Sequence, residues 1–407
     1  MDGLVIGIDI SDTYTRITLL EPEKSWMVPT VICNKKESEE WFVGEEAYGC
    51  TLAGEGVIVD KLLNLAGRSG TATIGGVKYE GAELLAKFFA KLLEYPRKEA
   101  GTASLAQVAI SLEKPDGNLL KILMRCMELA GVDRSLVHVL SRTESFVYYV
   151  MSQKRDVWSN QVGMFSLGNE NLAYYELKAQ RGLRQMTVVA ERESQEESFN
   201  LNVLDTPSGA RLADRILCSC GERLLQKKIF SAVILTGKGF ERNDWAPEFM
   251  KFICRRRRVF GEDSVFSKGA AYKAADYLHE KTSYPFVCIC EGRLKTSVSM
   301  KVMNREKEEQ LYLASAGDSW YESGTSVDVI LDGQSEIEFL VSPQDTRQKK
   351  LVRIPLDGFP KRPNKTTRVG LSVEFLDERT MVVNIKDKGF GELFPASEAS
   401  VRQEVML

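Results

Sequence analysis

Histidine is almost missing from this chain: 407 residues hold two, His138 and His279. The eight cysteines offer only the close pairs Cys218/Cys220 and Cys288/Cys290, tighter than zinc pairs usually are, so a metal centre of the zinc type is not expected. Eight cysteines are also too few for a disulfide scaffold and read as structural thiols in a reducing compartment. An excess of one charge is absent as well. Lys plus Arg number 54 against 57 for Asp plus Glu, a formal net charge of −3, which gives no general pull towards nucleic acid or anionic lipid. Long apolar runs are lacking: residues 232–235 and 286–290 are typical, far below the roughly 18 residues of a membrane helix. No basic stretch precedes Leu4–Ile10, so no signal peptide is expected and the chain reads as cytoplasmic. What remains is ordinary globular material, 43% hydrophobic and 27% charged, long enough for two or three domains at about 150 residues each.

Two segments share a form. Residues 4–10 are apolar, 11–14 make a polar turn, and 15–20 alternate; residues 162–167, 168–171 and 172–177 repeat that plan, with Asp9 falling on Ser166. Each reads as strand, tight loop, strand, and the pair suggests a duplicated domain with one hairpin per half. Helical spacing marks residues 82–93, closed by Pro96, then 118–130, 144–151, 206–226 and 267–278; residues 107–112, 137–140 and 232–235 read as strands. The glutamate-rich residues 191–200 read as a solvated loop, and the run Arg255 to Arg258 as the cationic end of a helix. From residue 283 the period drops to two: Val369, Leu371, Val373 and Phe375 share one face, Val298, Met300 and Val302 another, with turns at Gly317-Asp318, Asp332-Gly333 and Asp357-Gly358. That is the pattern of an antiparallel β-sandwich, in which Trp320 and Tyr321 are expected in the core. The expected division is α/β lobe I at 1–160, lobe II at 161–282, an all-β sandwich at 283–397 and a frayed polar tail at 398–407.

A strand that ends in a carboxylate and runs into small polar residues can hold phosphates. Asp9 would bind Mg²⁺, directly or through water, while backbone N–H groups and hydroxyls of the loop Ser11, Asp12, Thr13 and Tyr14 face the anion.

The stretch Gly7-Ile-Asp-Ile-x-x-Thr-Tyr-Thr15 resembles the first phosphate loop of the DnaK-type heat-shock chaperones, members of the actin-like ATPase superfamily. Further stretches follow in that family's order. Val28-Pro-Thr-Val31 and Phe42-Val-Gly-Glu-Glu-Ala47 look like the segments after its first hairpin. Val59-Asp-Lys-Leu62 resembles the segment bearing its catalytic lysine, which points to Lys61, and Arg142-Thr-Glu-Ser-Phe146 resembles a helix start that points to Glu144. The second hairpin, with Gly168, takes the place of the second phosphate loop. Ile234-Leu-Thr-Gly-Lys-Gly239, with Gly237 and Gly239, looks like the adenosine loop, and Lys268-Gly-Ala-Ala271 like the helix after it. The resemblance implies an actin-like duplicated body, ATP or ADP with Mg²⁺ as cofactor, a β-sandwich that binds protein or peptide clients, and no helical lid.

The departures bear on activity. Ser11 and Asp12 replace a glycine and a threonine in the first loop; Ser166 replaces an aspartate in the second, and Asn169 and Glu170 replace two glycines. Losing a positioned acid–base group typically costs about 10²–10⁴ in rate. The second lobe, with little chain between its hairpin and the adenosine strand, is expected to be reduced. The expected protein is therefore a pseudo-ATPase that binds protein, with no cofactor at all as an equal expectation. The alternative is a compact ATP-dependent chaperone in which Asp9, Lys61 and Glu144 suffice.

Overall fold

A computed structural model describes the chain except for residues 1–2, 37, 39, 170, 182–184, 243 and 345–348. It divides into two units, residues 1–286 and 287–407.

The first unit opens with β1 (Leu4–Ile10), β2 (Tyr14–Leu19) and β3 (Lys24–Pro29). Residues 30–80 then make an excursion through β4 (Ile32–Lys35), β5 (Trp41–Val43), α1 (Glu45–Leu52), β6 (Gly56–Val59), α2 (Leu62–Gly67), β7 (Thr71–Ile74) and β8 (Val77–Glu80). The main body resumes with α3 (Gly81–Leu92), α4 (Glu94–Ala100), β9 (Leu105–Leu112), α5 (Gly117–Leu129), β10 (Val137–Ser141) and α6 (Arg142–Met151). The strands lie in the order β10-β9-β1-β2-β3, with β1, β9 and β10 parallel and β2 antiparallel to both its neighbours.

The second half repeats this plan. Strands β11 (Gln161–Leu167), β12 (Leu172–Arg181) and β13 (Met186–Gln195) are followed by α7 (Pro207–Leu225), β14 (Phe230–Thr236), α8 (Pro247–Ile253), β15 (Arg258–Gly261) and α9 (Val265–Asp276). They run β15-β14-β11-β12-β13 with the same senses as the first sheet. Between β13 and α7 this half has only residues 196–206, where the first half has 30–80 between β3 and α3. Local chemistry sets the boundaries. The Thr206 hydroxyl caps α7 by accepting from Gly209 N–H at 3.2 Å, with Pro207 at the first helical position. The Asp116 carboxylate caps α5 by accepting from the Asn118 and Leu119 amides.

Helix α9 packs on β1 and on α6 at backbone distance. A Cβ on Gly7 would stand 2.0 Å from the Ser267 carbonyl oxygen, and one on Gly269 would stand 1.8 Å from the Ser145 carbonyl oxygen. Only glycine fits at either position, which is how Gly269-Ala-Ala271 draws the closing helices of the two halves together.

In the second unit, β16 (Phe286–Ile289) runs across the division, and eight strands follow: β17 (Thr296–Asn304), β18 (Lys307–Ala314), β19 (Thr325–Leu331), β20 (Glu336–Pro343), β21 (Lys350–Pro355), β22 (Thr367–Phe375), β23 (Thr380–Gly389) and β24 (Ser400–Met406). They form two antiparallel sheets, β18-β17-β20-β21 and β19-β22-β23-β24. Both sheets feed one core: Val298, Ile337 and Phe339 from the first meet Val369, Leu371, Val373 and Ile385 from the second, with Trp320 among them. This is the arrangement of a β-sandwich.

Some expectations need correction. Residues 400–406 are no frayed tail but a strand paired along β23, because Val401 and Val405 turn apolar side chains into the sandwich core. Residues 191–195 belong to β13, where cross-strand pairing with β12 outweighs their polarity. Pro96 does not close a helix; it lies in the first turn of α4, where a missing N–H costs nothing. Tyr284 and Phe286, at the end of the first unit, pack on Tyr148 of α6. No helix among the described residues is long and apolar enough to cross a membrane.

Candidate functional site

Asp9 stands near the C-terminal end of β1, between Arg16 of β2 and Ser111 of β9 in the register. The turn that follows is closed on itself. The Ser11 hydroxyl donates to the Tyr14 carbonyl at 2.8 Å, accepts from the Tyr14 amide at 3.2 Å and lies 3.3 Å from the Thr13 hydroxyl. The Thr13 carbonyl accepts from the Thr30 amide at 3.0 Å. Asp12 reaches away to the start of α2, where its carboxylate accepts from the Asn64 amide at 2.9 Å. Lys61, beside that helix start, is exposed and left-handed, with φ 51°.

The carboxylate of Asp9 is already engaged. Arg142 donates from Nε to Asp9 Oδ1 at 2.7 Å and from a terminal nitrogen to Oδ2 at 3.1 Å, a two-pronged pair with both side chains largely buried. The local reason is visible: β10 ends at Ser141, whose hydroxyl caps α6 by accepting from the Glu144 amide at 3.0 Å, and Arg142 is the first residue of that helix. A cation at a helix N-terminus opposes the dipole, so Arg142 is held there by Asp9 and by the face of Phe266, 5.2 Å from its guanidinium carbon. Burial alone would loosen its proton, but the charge and hydrogen bonds of Asp9, with Glu113 beyond, outweigh that and push its pKa up.

The network continues across the unit. Glu113, just past β9, lies 3.9 Å from Arg142 and also pairs with Arg192 of β13. Asp9, Arg142, Glu113 and Arg192 therefore form a chain of alternating charges running from the first sheet to the second. Tyr175 of β12 adjoins both arginines, and burial pushes its phenol up to about 12. Glu144 is fully buried in the first turn of α6, and neighbouring Ser145 donates to the Ser111 hydroxyl at 2.8 Å.

Gly168, Gly237 and Gly239 of the second half each lie against residues of the β11–β12 turn or the end of β11. At Gly168 the amide donates to the Asn171 carbonyl at 2.8 Å, and a Cβ there would lie 2.2 Å from the Asn171 side-chain oxygen. Gly237 is left-handed, with φ 93°, and sits against the Leu167 carbonyl. Gly239 packs on the Leu167 side chain, and its carbonyl accepts from the Trp245 indole at 2.9 Å. A cleft of about 390 Å³ lies at the other end of β1, around Gly3, Leu4, Glu21, Pro22 and Glu99, about 17 Å along the strand from Asp9.

The structure thus brings Asp9 to Arg142, joins Ser11, Thr13 and Tyr14 in one turn, sets Asp12 and Lys61 at the start of α2, and places Gly237 and Gly239 against Leu167 and Gly168 against Asn171. Sequence reading missed Arg142, Glu113 and Arg192. The available signal was a basic residue at a helix start, where a buried anion is needed to keep it.

Residues 13–291 match a family of unknown function, DUF5716, in its C-terminal part, and residues 293–407 match a domain of unknown function, DUF8552. No curated protein matches the chain. With more than half of its length covered by that first match, the chain belongs to the DUF5716 family.

Proposed function

We propose that this protein is a DnaK-related, actin-like body that has given up the nucleotide cycle and works by holding a protein partner. The duplicated sheets, with the same strand order and senses, support the actin-like reading. The single observation that carries the loss of cycling is the Asp9–Arg142 pair. Mg²⁺ would need a carboxylate oxygen, directly or through water, and both oxygens of Asp9 are taken by one guanidinium. At the other glycines of the resemblance, the Asn171 side chain covers Gly168, and Leu167 lies against Gly237 through its backbone and against Gly239 through its side chain. Glu144 and Lys61 then act in the fold, one inside α6 and one at the entrance of α2. The β-sandwich unit, with an intact core, is the part we assign to the protein or peptide partner.

Calorimetry of the full chain with ATP or ADP, with and without Mg²⁺, tests this. The expected result is no Mg²⁺-dependent heat and no phosphate release. Micromolar, Mg²⁺-dependent binding with turnover would restore the compact ATPase reading.

A further inference from the structure

Strands β11, β14 and β15 are parallel and begin at one edge of the second sheet, where Gln161 pairs with Phe230 and Ala232 with Arg258. That edge is opposite the loops bearing Gly168 and Gly237. Three connections converge on it, after α6, α7 and α8. They are fastened there: Ser231 donates to the Val157 carbonyl at 2.6 Å, Gln161 N–H to the Ile229 carbonyl at 3.2 Å, and Arg258 pairs with Asp156 at 2.6 Å. Together they expose Lys154, Arg155, Lys227, Lys228, Arg256 and Arg258. Of these, Arg258 is paired with Asp156, and Lys228 with Glu176 at 2.7 Å. On a chain of net charge −3 this is a marked local excess of positive charge. In its midst Ile229 is 74% exposed. Lys227 and Arg256 hold left-handed backbones, with φ 58° and 59°, positions that glycine or asparagine would fill with less strain.

We infer that this edge is a docking surface for an acidic segment of a partner protein, with an apolar residue seated against Ile229. Charge complementarity fixes the sign of the partner. The protruding isoleucine favours protein: an apolar centre ringed by charge is the anatomy of a protein interface. A nucleic-acid backbone offers Ile229 nothing, and a single isoleucine buries too little apolar area to hold a bilayer.

The test uses the full chain and a synthetic 15-residue peptide of Glu and Asp with a central leucine, titrated by fluorescence anisotropy. Binding is expected, weakening at least tenfold between about 50 and 300 mM salt as exposed charges are screened. The double variant Arg155→Glu/Arg256→Glu should weaken it tenfold or more, and Ile229→Ser severalfold, with thermal melting unchanged. Lys121→Glu, the same kind of charge reversal on α5, should leave it unchanged. Three results would overturn the inference: no peptide binding at low salt, equal loss in Lys121→Glu, or tighter binding to duplex DNA or phosphatidylserine vesicles than to the peptide. If the double variant unfolds, Ile229→Ser against Lys121→Glu decides alone.

Discussion

At the scale of single residues, the Asp9–Arg142 pair is the most consequential contact and the one least visible in the chain. Its partners stand 133 positions apart, and they meet only because β9 and β10 are laid beside β1. Local pattern made Asp9 a candidate and left its partner unseen. A buried pair is costly to break from one side, because the remaining charge is stranded. Arg142→Met should therefore lower the unfolding free energy by about 3–5 kcal/mol. Adding Asp9→Asn should recover a large part of that, as urea midpoints would show; strictly additive losses would mean the two are uncoupled. His138 gives a second prediction. Burial first, and then nearby Lys273, depress its pKa from 6.5 to about 4, and it stacks on Tyr277 with ring centroids 3.7 Å apart. The unfolded chain then binds the proton more readily, so stability is full above pH 6.5 and falls as pH drops towards 4. The ring is partly exposed, which discounts the effect to about 1–2 kcal/mol. His138→Gln should flatten the stability–pH curve over that window relative to the parent.

At the scale of elements, hydrophobic periodicity made most of the first unit legible. The helices at 118–130, 206–226 and 267–278 appear within a residue or two; the first two have an apolar face and a recognisable start, whereas the third is small-residue chain buried nearly all round. The alternation in residues 298–302 and 369–375 likewise reads directly as strand, since one face is buried. What escaped was decided by neighbours rather than by composition. Polar residues 191–195 become strand because β12 is there to pair with, and 400–406 because β23 is. The repeated plan was legible from two hairpins, but the crossing of α6 and α9 was not, although Gly269 makes it possible. Gly269→Ala tests that crossing. Its Cβ would meet the Ser145 carbonyl, so one helix must shift, and overpacking of this kind costs about 1–3 kcal/mol. Because α6 starts with Arg142, amide exchange should also rise at the end of β1; exchange confined to α9 would mean that α6 does not transmit the shift.

At the scale of the molecule, two compact units imply two cooperative transitions, each with its own weak point. The second unit is fastened by Asp387, fully buried, whose carboxylate accepts from both terminal nitrogens of Arg362 at 2.8 Å, from the Gly389 and Ser397 amides and from the Ser397 hydroxyl. Those bonds tie the residues before β22 and those between β23 and β24 to one point. They also favour the ionised form, Arg362 above all, and hold Asp387 well below the usual carboxylate range. The stability they add is present above pH 4 and is lost as acid approaches that lowered value. Asp387→Ala leaves Arg362 without its anion and should cost about 3–5 kcal/mol, all of it in the second unit. Calorimetry of the full chain should then show one transition lowered by Asp387→Ala and the other by Gly269→Ala, each indifferent to the other variant. If both transitions move with either substitution, the units unfold as one.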